Sequence, residues 1–248
     1  MKLYRKIRHR KGFGIHSPFV YNLITKVIEE KYSFYAYTEI ENFRKQLLAG
    51  NDETSRITAH ETQRPAYGAL LFRIVNFFNC RNVIHIGAST GVLSLYLSMA
   101  IRTQGRCYLL EKRAGLLCRL KDYAARHNLQ KLYYIEGSEA ETLPTFRTLF
   151  PEADLIFVNR CDRLDELEQA LPFCRPSAER SPVLILNNIA KSREMKQLWQ
   201  KVKELPSARI CIDLCALGIV FFNHKLPKRQ YKLFFNHEKK ESVHPKRR

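Results

Sequence analysis

The stretch His85-Ile86-Gly87-Ala88-Ser89-Thr90-Gly91-Val92 decides the fold. Before it, Asn82 to Ile86 is a short β-branched run that reads as a strand. After it, Val92 to Ile101 reads as a buried helix. A strand, a small-residue turn and a helix in that order open an α/β unit. In such sheets ligands bind in the crevice beyond the strand C-termini. Small residues there admit a ligand to the backbone, and a helix N-terminus attracts negative groups. The spacing is Gly-x-Ser-x-Gly, so the Gly-x-Gly-x-x-Gly dinucleotide fingerprint is not met.

Downstream the rhythm repeats. Arg106 to Leu110 is a second strand, Ala114 to His127 a helix and Lys131 to Ile135 a third strand. Ala153 to Val158 is a fourth strand, Asp162 to Leu171 a helix and Pro182 to Leu186 a fifth strand. Met195, Leu198, Val202 and Leu205 mark the next helix. Alternation of this kind predicts a doubly wound, mostly parallel sheet. The tail departs from it. Arg209 to Leu214 and Leu217 to Phe222 are too close in sequence for a parallel crossover, so they form an antiparallel hairpin. Tyr231 to Phe235 is a candidate for one more strand.

Upstream, Ser17 can cap a helix that starts at Pro18 and carries Val20, Leu23, Ile24, Val27 and Ile28 on one face. A second helix is expected from Tyr37 to Leu48, and Ala49 to Glu61 reads as a polar linker. Leu70, Leu71, Ile74, Val75 and Phe78 then form an apolar helix face. The expected organisation is a basic arm with a helical extension over 1–62, the α/β domain over 63–236 and a basic tail over 237–248.

The 248 residues are 45% apolar and 27% charged, a globular mix that excludes wholesale disorder. No apolar run approaches the ~18 residues of a membrane span, and the basic N-terminus lacks an apolar signal-peptide core. The seven cysteines (80, 107, 118, 161, 174, 211 and 215) include no Cys-x-x-Cys pair, which favours a reducing cytoplasm over a zinc ribbon or disulfide framework. The net charge of +18 is uneven. Residues 1–28 carry seven Lys/Arg and no acid, and residues 224–248 carry nine against two Glu. Such ends are solvated tails or weak contacts for polyanions, nucleic acid included, by a salt-dependent, sequence-blind attraction.

Glu111 ends the second strand, 24 residues after Gly87. An acid there accepts hydrogen bonds from both ribose hydroxyls of an adenosine ligand; alternatively it is a solvated glutamate beside Lys112 and Arg113. Gly137-Ser138 follows the third strand, where an adenine edge would lie, or forms a simple loop.

With these residues in place, the chain resembles class I S-adenosylmethionine-dependent methyltransferases along nearly its whole length. More closely it resembles a bacterial group akin to the catechol-type O-methyltransferases. The likeness is carried by Gly14-Ile15-His16-Ser17-Pro18-Phe19, by Tyr67-Gly68-Ala69-Leu70-Leu71-Phe72-Arg73, by the His85 to Gly91 turn, and by Asp213-Leu214 to Gly218-Ile219-Val220-Phe221-Phe222. The resemblance implies a seven-stranded Rossmann-like sheet ending in an antiparallel hairpin, with the N-terminal helices as a lid. It implies S-adenosylmethionine as cofactor. Gly87, Ala88, Ser89 and Gly91 would face its methionine part, Glu111 with Lys112 beside it the ribose, and Gly137 and Ser138 the adenine. Asn159 would lie beneath the methyl group, with Asn187 and Asn188 toward the acceptor. Asn159 and Asn187 are thus the catalytic candidates.

Two departures stand out. The class usually has an acid where this chain has His85, near the cofactor's ammonium group. A neutral His there gives up about 1.5–3 kcal/mol of charge-assisted hydrogen bonding. The catechol-type relatives hold a divalent cation with Asp residues where this chain has Asn159 and Asn187. Hard cations want anionic oxygens, so the expectation is metal-independent transfer to an O or N acceptor. The alternative is a degenerate relative acting as a binding module through its basic ends. Among other residues, His16 is read as local packing before a lid base, Asp162 as a helix cap, Cys161 as inert and Trp199 as packing. Asp213 either points to the site mouth or pairs with an Arg.

Overall fold

The computed structural model describes residues 10–102, 104–137, 141–144, 152–160, 171–174 and 181–235. One sheet of eight strands organises them: β1 (Asn82–Ile86), β2 (Arg106–Glu111), β3 (Leu132–Glu136), β4 (Leu155–Val158), β5 (Val183–Asn187), β6 (Ile210–Asp213), β7 (Leu217–Phe221) and β8 (Arg229–Lys232). Their spatial order is β3-β2-β1-β4-β5-β7-β6-β8. The first five strands pair in parallel, and β7 runs antiparallel between β5 and β6. This is the doubly wound sheet with a terminal hairpin read from the sequence. The additional strand lies slightly upstream of Tyr231–Phe235 and pairs in parallel with β6, outside the hairpin. The predicted helix Asp162–Leu171 and both basic termini lie outside the described residues.

Side chains alternate across the sheet as the period of two requires. Val83, Leu155, Phe157, Val183 and Ile185 join one core. Ile84, Ile86, Ile156, Val158, Leu184 and Leu186 join the other, with Leu198 and Trp199. The second core lies under α7 (Arg193–Glu204), capped by the Ser192 hydroxyl accepting from Met195 N. Trp199 packs there against Gly218, where a Cβ would meet the indole at 2.6 Å.

The helices before the sheet are α1 (Pro18–Leu23, continuing as a π-helix over Ile24–Ile28), α2 (Tyr35–Leu48), α3 (Glu53–Glu61) and α4 (Pro65–Phe77). They share the first core with the sheet: Val20, Leu23, Ile40, Leu47 and Ile74 are buried in the same cluster as Val83. Phe19 of α1 lies edge-on to Phe221 of β7 at 4.9 Å, and buried Arg73 of α4 donates to Val27 O. So α1 is fastened to the hairpin side of the sheet.

One expectation is corrected. The polar stretch Ala49–Glu61 is not a linker throughout, because α3 occupies its second half. Asp52 caps it by accepting from Ser55 N at 3.0 Å. The helix buries Ser55 and Thr58 rather than apolar residues, so it shows no apolar period. Two helices then follow β1 and β2: α5 (Val92–Ala100) and α6 (Cys118–Arg126). No helix among the described residues is long and apolar enough to cross a membrane.

Candidate functional site

β1 lies between β2 and β4, the point where the strand order reverses and a crevice opens. At its end Gly87 (φ +69°) turns the chain, and Gly87 N and Ala88 N both donate to Leu110 O of β2. A Cβ on Gly87 would fall 2.4 Å from Arg160 O, so the position accepts only glycine. Ser89 (φ +56°) and Gly91 (φ +82°) complete a turn that leads into α5.

The β1–β2 side of the crevice is ionic. Glu111 is 2% exposed, and its carboxylate accepts from Ser89 N (2.6 Å), Arg113 N (3.0 Å) and Arg113 Nε (2.9 Å). Arg113 then reaches across to Glu61, the last residue of α3, with Nη1 and Nη2 at 2.7 and 2.8 Å from its two oxygens. Glu61 also accepts from the Ser89 hydroxyl at 2.8 Å and from Arg160 Nη1. Thr58 of α3 adds a hydroxyl contact to Thr90 at 3.2 Å. Burial alone would raise the pKa of Glu61, but the hydrogen bonds from Arg113 and Ser89 and the two guanidinium charges outweigh it and hold it below the ordinary carboxylate range.

The β4–β5 side is neutral. Asn159 donates from Nδ2 to Gly87 O (3.0 Å) and accepts at Oδ1 from Asn187 Nδ2 (2.7 Å). Asn187 Oδ1 accepts from Asn188 N and from Gln63 Nε2, both at 2.9 Å. The same Gln63 nitrogen donates to Asn188 Oδ1 at 2.9 Å. An amide both donates and accepts, so this chain closes on itself without a charge.

His85 faces elsewhere. It is fully buried against Phe157, with Nδ1 2.8 Å from the Ser94 hydroxyl of α5 and Nε2 unpartnered. Burial pushes its pKa down to about 3, so it is neutral in any ordinary buffer. It supports the turn from behind instead of standing beside Ser89 and Glu111.

The remaining expected residues scatter in role. Lys112 is exposed, and Gly137 follows β3 with its N–H donating to Glu111 O at 3.3 Å. Ser138, Cys161 and Asp162 lie outside the described residues. His16 is exposed beside the Ser17 cap of α1. Asp213 accepts from Cys215 N at 2.7 Å and holds the β6–β7 turn. The sequence reading missed Glu61, Gln63, Arg113 and Arg160 as site residues. The one local signal was Asp52-Glu53, an N-cap followed by an acid in the first turn, which announces α3 and so brings Glu61 and Gln63 to the crevice.

The two groups implied by the resemblance fare differently. Asn159, Asn187 and Asn188 do not fit a hard divalent cation. They offer neutral oxygens already committed to amide donors, with the Gln63 amide nitrogen between two of them. No group of three His, Cys, Asp or Glu among the described residues could hold a metal. The nucleoside cofactor does fit. The glycine turn, the helix start and the strand-end acid are in register, and what covers Glu111 is the flexible Arg113 side chain.

No family model and no curated protein sequence matches the chain. Solved structures do. The O-methyltransferase from Bacillus cereus in complex with S-adenosylhomocysteine (SAH) aligns with a TM-score of 0.58 at 18% identity, over 82% of this chain and 96% of the other. TomG, an O-methyltransferase of Streptomyces achromogenes involved in tomaymycin synthesis and solved with S-adenosylmethionine, gives 0.56 at 16%, over 82% and 93%. A methyltransferase of Podospora anserina bound to SAH gives 0.59 at 13%, over 83% and 95%. At these identities the likeness is one of fold: the chain has the Rossmann-like architecture of these enzymes.

Proposed function

We propose that the protein is an S-adenosylmethionine-dependent methyltransferase acting on an O or N acceptor without a metal ion. The observation that carries this reading is the register of Glu111 with the Gly87–Gly91 turn at the strand switch point, joined by the 2.6 Å bond from Ser89 N. The cofactor supplies an electrophilic methyl group on a sulfonium sulfur.

This chain's residues do the rest. Glu111 accepts from the ribose hydroxyls once Arg113 yields its place. The small residues of the turn admit the methionine part to the backbone. Asn159 and Asn187, locked by their shared hydrogen bond, orient the acceptor. Carboxamides position but do not remove protons, so the acceptor must arrive neutral or already ionised, and proximity supplies much of the rate. His85 cannot serve as a base, being buried and bonded to Ser94.

A second reading is a fold relative that has kept the crevice but works as a binding module, with polyanion contacts through its basic ends. The observation favouring it is that Glu61 and Gln63 already fill both halves of the crevice. Calorimetric titration with S-adenosylmethionine and SAH, with and without magnesium, separates the two. Micromolar binding unchanged by magnesium supports the methyltransferase reading. No binding up to millimolar ligand overturns it and leaves the module.

A further inference from the structure

The donors around Glu61 come from three separate sheet-end segments. Ser89 follows β1, Arg113 follows β2 and Arg160 follows β4. All aim at a single carboxylate, and that carboxylate arrives from outside the sheet, on the end of α3. Two of the donors are guanidinium groups, and Arg113 grips both oxygens of Glu61 from its two terminal nitrogens. A fork of this geometry is built for a carboxylate. The group that holds the site now is only 19% exposed, and its partner Arg113 is 29% exposed, so this is not a loose surface pair.

We infer that Ser89, Arg113 and Arg160 form a carboxylate-binding site for the amino-acid end of the cofactor, occupied by Glu61 as an internal substitute until the cofactor arrives. The inference rests on the cofactor reading above and adds a binding site to it. Glu61, Glu111, Arg113 and Arg160 together carry no net charge. A second carboxylate entering beside Glu61 would leave the cluster negative in a poorly hydrated crevice, whereas exchange of one carboxylate for another keeps it balanced. The same exchange removes the anchor that holds Arg113 across Glu111. Release of Glu61 and exposure of the ribose-binding acid are therefore one event. Gln63 and Thr58 keep α3 attached while its last residue lets go.

The test compares two ligands that differ in this carboxylate. SAH carries the amino-acid end; 5′-methylthioadenosine lacks it. Calorimetry on Glu61→Gln should show SAH binding about tenfold tighter than to the native protein, the order of one charge-assisted hydrogen bond no longer competing, while 5′-methylthioadenosine shows no comparable gain. Equal tightening of both ligands would mean simple uncovering of the crevice and would overturn the carboxylate site. Unchanged SAH affinity also overturns it, while leaving the cofactor reading standing. Weaker SAH binding would make Glu61 a ligand rather than a competitor, again against the inference. Binding of neither ligand to either protein removes the inference and the cofactor reading together. Backbone hydrogen exchange on the native protein gives a readout that needs no variant. SAH, and not 5′-methylthioadenosine, should speed exchange at the C-terminal end of α3; equal or absent change counts against the site.

Discussion

The two sides of the crevice are fastened by opposite means. On the β1–β2 side two carboxylates and two guanidinium groups interlock, and the Ser89 amide and hydroxyl complete their coordination. On the β4–β5 side Asn159, Asn187 and Gln63 hand one hydrogen bond to the next with no charge at all. Both chains end on the same short segment after α3, at Glu61 and Gln63. A charge in a poorly hydrated place needs an opposite charge, so the ionic side is an exchangeable lock that another anion can enter. An amide is its own donor and acceptor, so the neutral side is a fixed clasp. The crevice thus has one half designed to be displaced and one half designed to stay.

The largest test of this contrast is Arg113→Met. It leaves Glu111, 2% exposed, with only backbone donors and strands Glu61 opposite it. Removing one partner of a buried pair costs about 3–5 kcal/mol, so urea unfolding should show a loss of that order. A loss under about 1 kcal/mol would mean that the ionic side is solvated. Next is Asn187→Asp. Its side chain is fully buried, and the change deletes the donor to Asn159 Oδ1 while adding a negative charge. A loss of about 2–3 kcal/mol at neutral pH is expected. It should shrink at lower pH as the new carboxyl becomes neutral. Gln63→Ala, which leaves two carboxamide oxygens short of one shared donor, should cost about 1 kcal/mol and be insensitive to salt and pH.

The pH response sharpens the comparison further. His85 takes no proton in the folded protein until about pH 3, whereas the unfolded chain takes one near its ordinary value. Stability therefore falls as pH drops between the two, and His85→Gln should flatten that slope in acid-unfolding curves. Glu61 is held below the ordinary carboxylate range. Its contribution is present above that range and is lost as pH falls through its folded value, so Glu61→Gln should flatten only the more acidic part of the curve. The smallest effect belongs to Arg119→Met. Its bond to Asp52 spans 2.6 Å, but the two side chains are 42% and 46% exposed. The change should shift stability by no more than about 0.5 kcal/mol. A larger loss would show that exposed pairs near α3 matter as much as the crevice lock.

Much of this was legible along the chain. The β-branched runs of β1, β4 and β5, and the glycine turn between β1 and α5, carry local signals strong enough to place the switch point. The short spacing between β6 and β7 forces their antiparallel pairing. The approach of Asn159, Asn187 and Glu111 follows from the parallel order, because each ends a neighbouring strand. Residues without a local period were lost. α3 buries hydroxyls instead of methyl groups, so it looks like linker. His85 occupies an acid's place in the motif, yet the alternation of β1 turns it toward α5, where burial and Ser94 define its state.

By itself the sequence determined the architecture: period-two and period-3.6 patterns, turn residues and connection lengths act over a few residues and need no distant partner. It also determined which strand ends bear carboxamides in place of carboxylates. Only the tertiary structure decided what those strand ends touch. Glu61 meets Arg113 52 positions away and Gln63 meets Asn187 124 positions away. Hydrogen bonds and ion pairs over such separations leave no periodic trace in the chain. They form because folding removes water from the crevice and leaves each polar group to find whichever partner the sheet has brought within 3 Å.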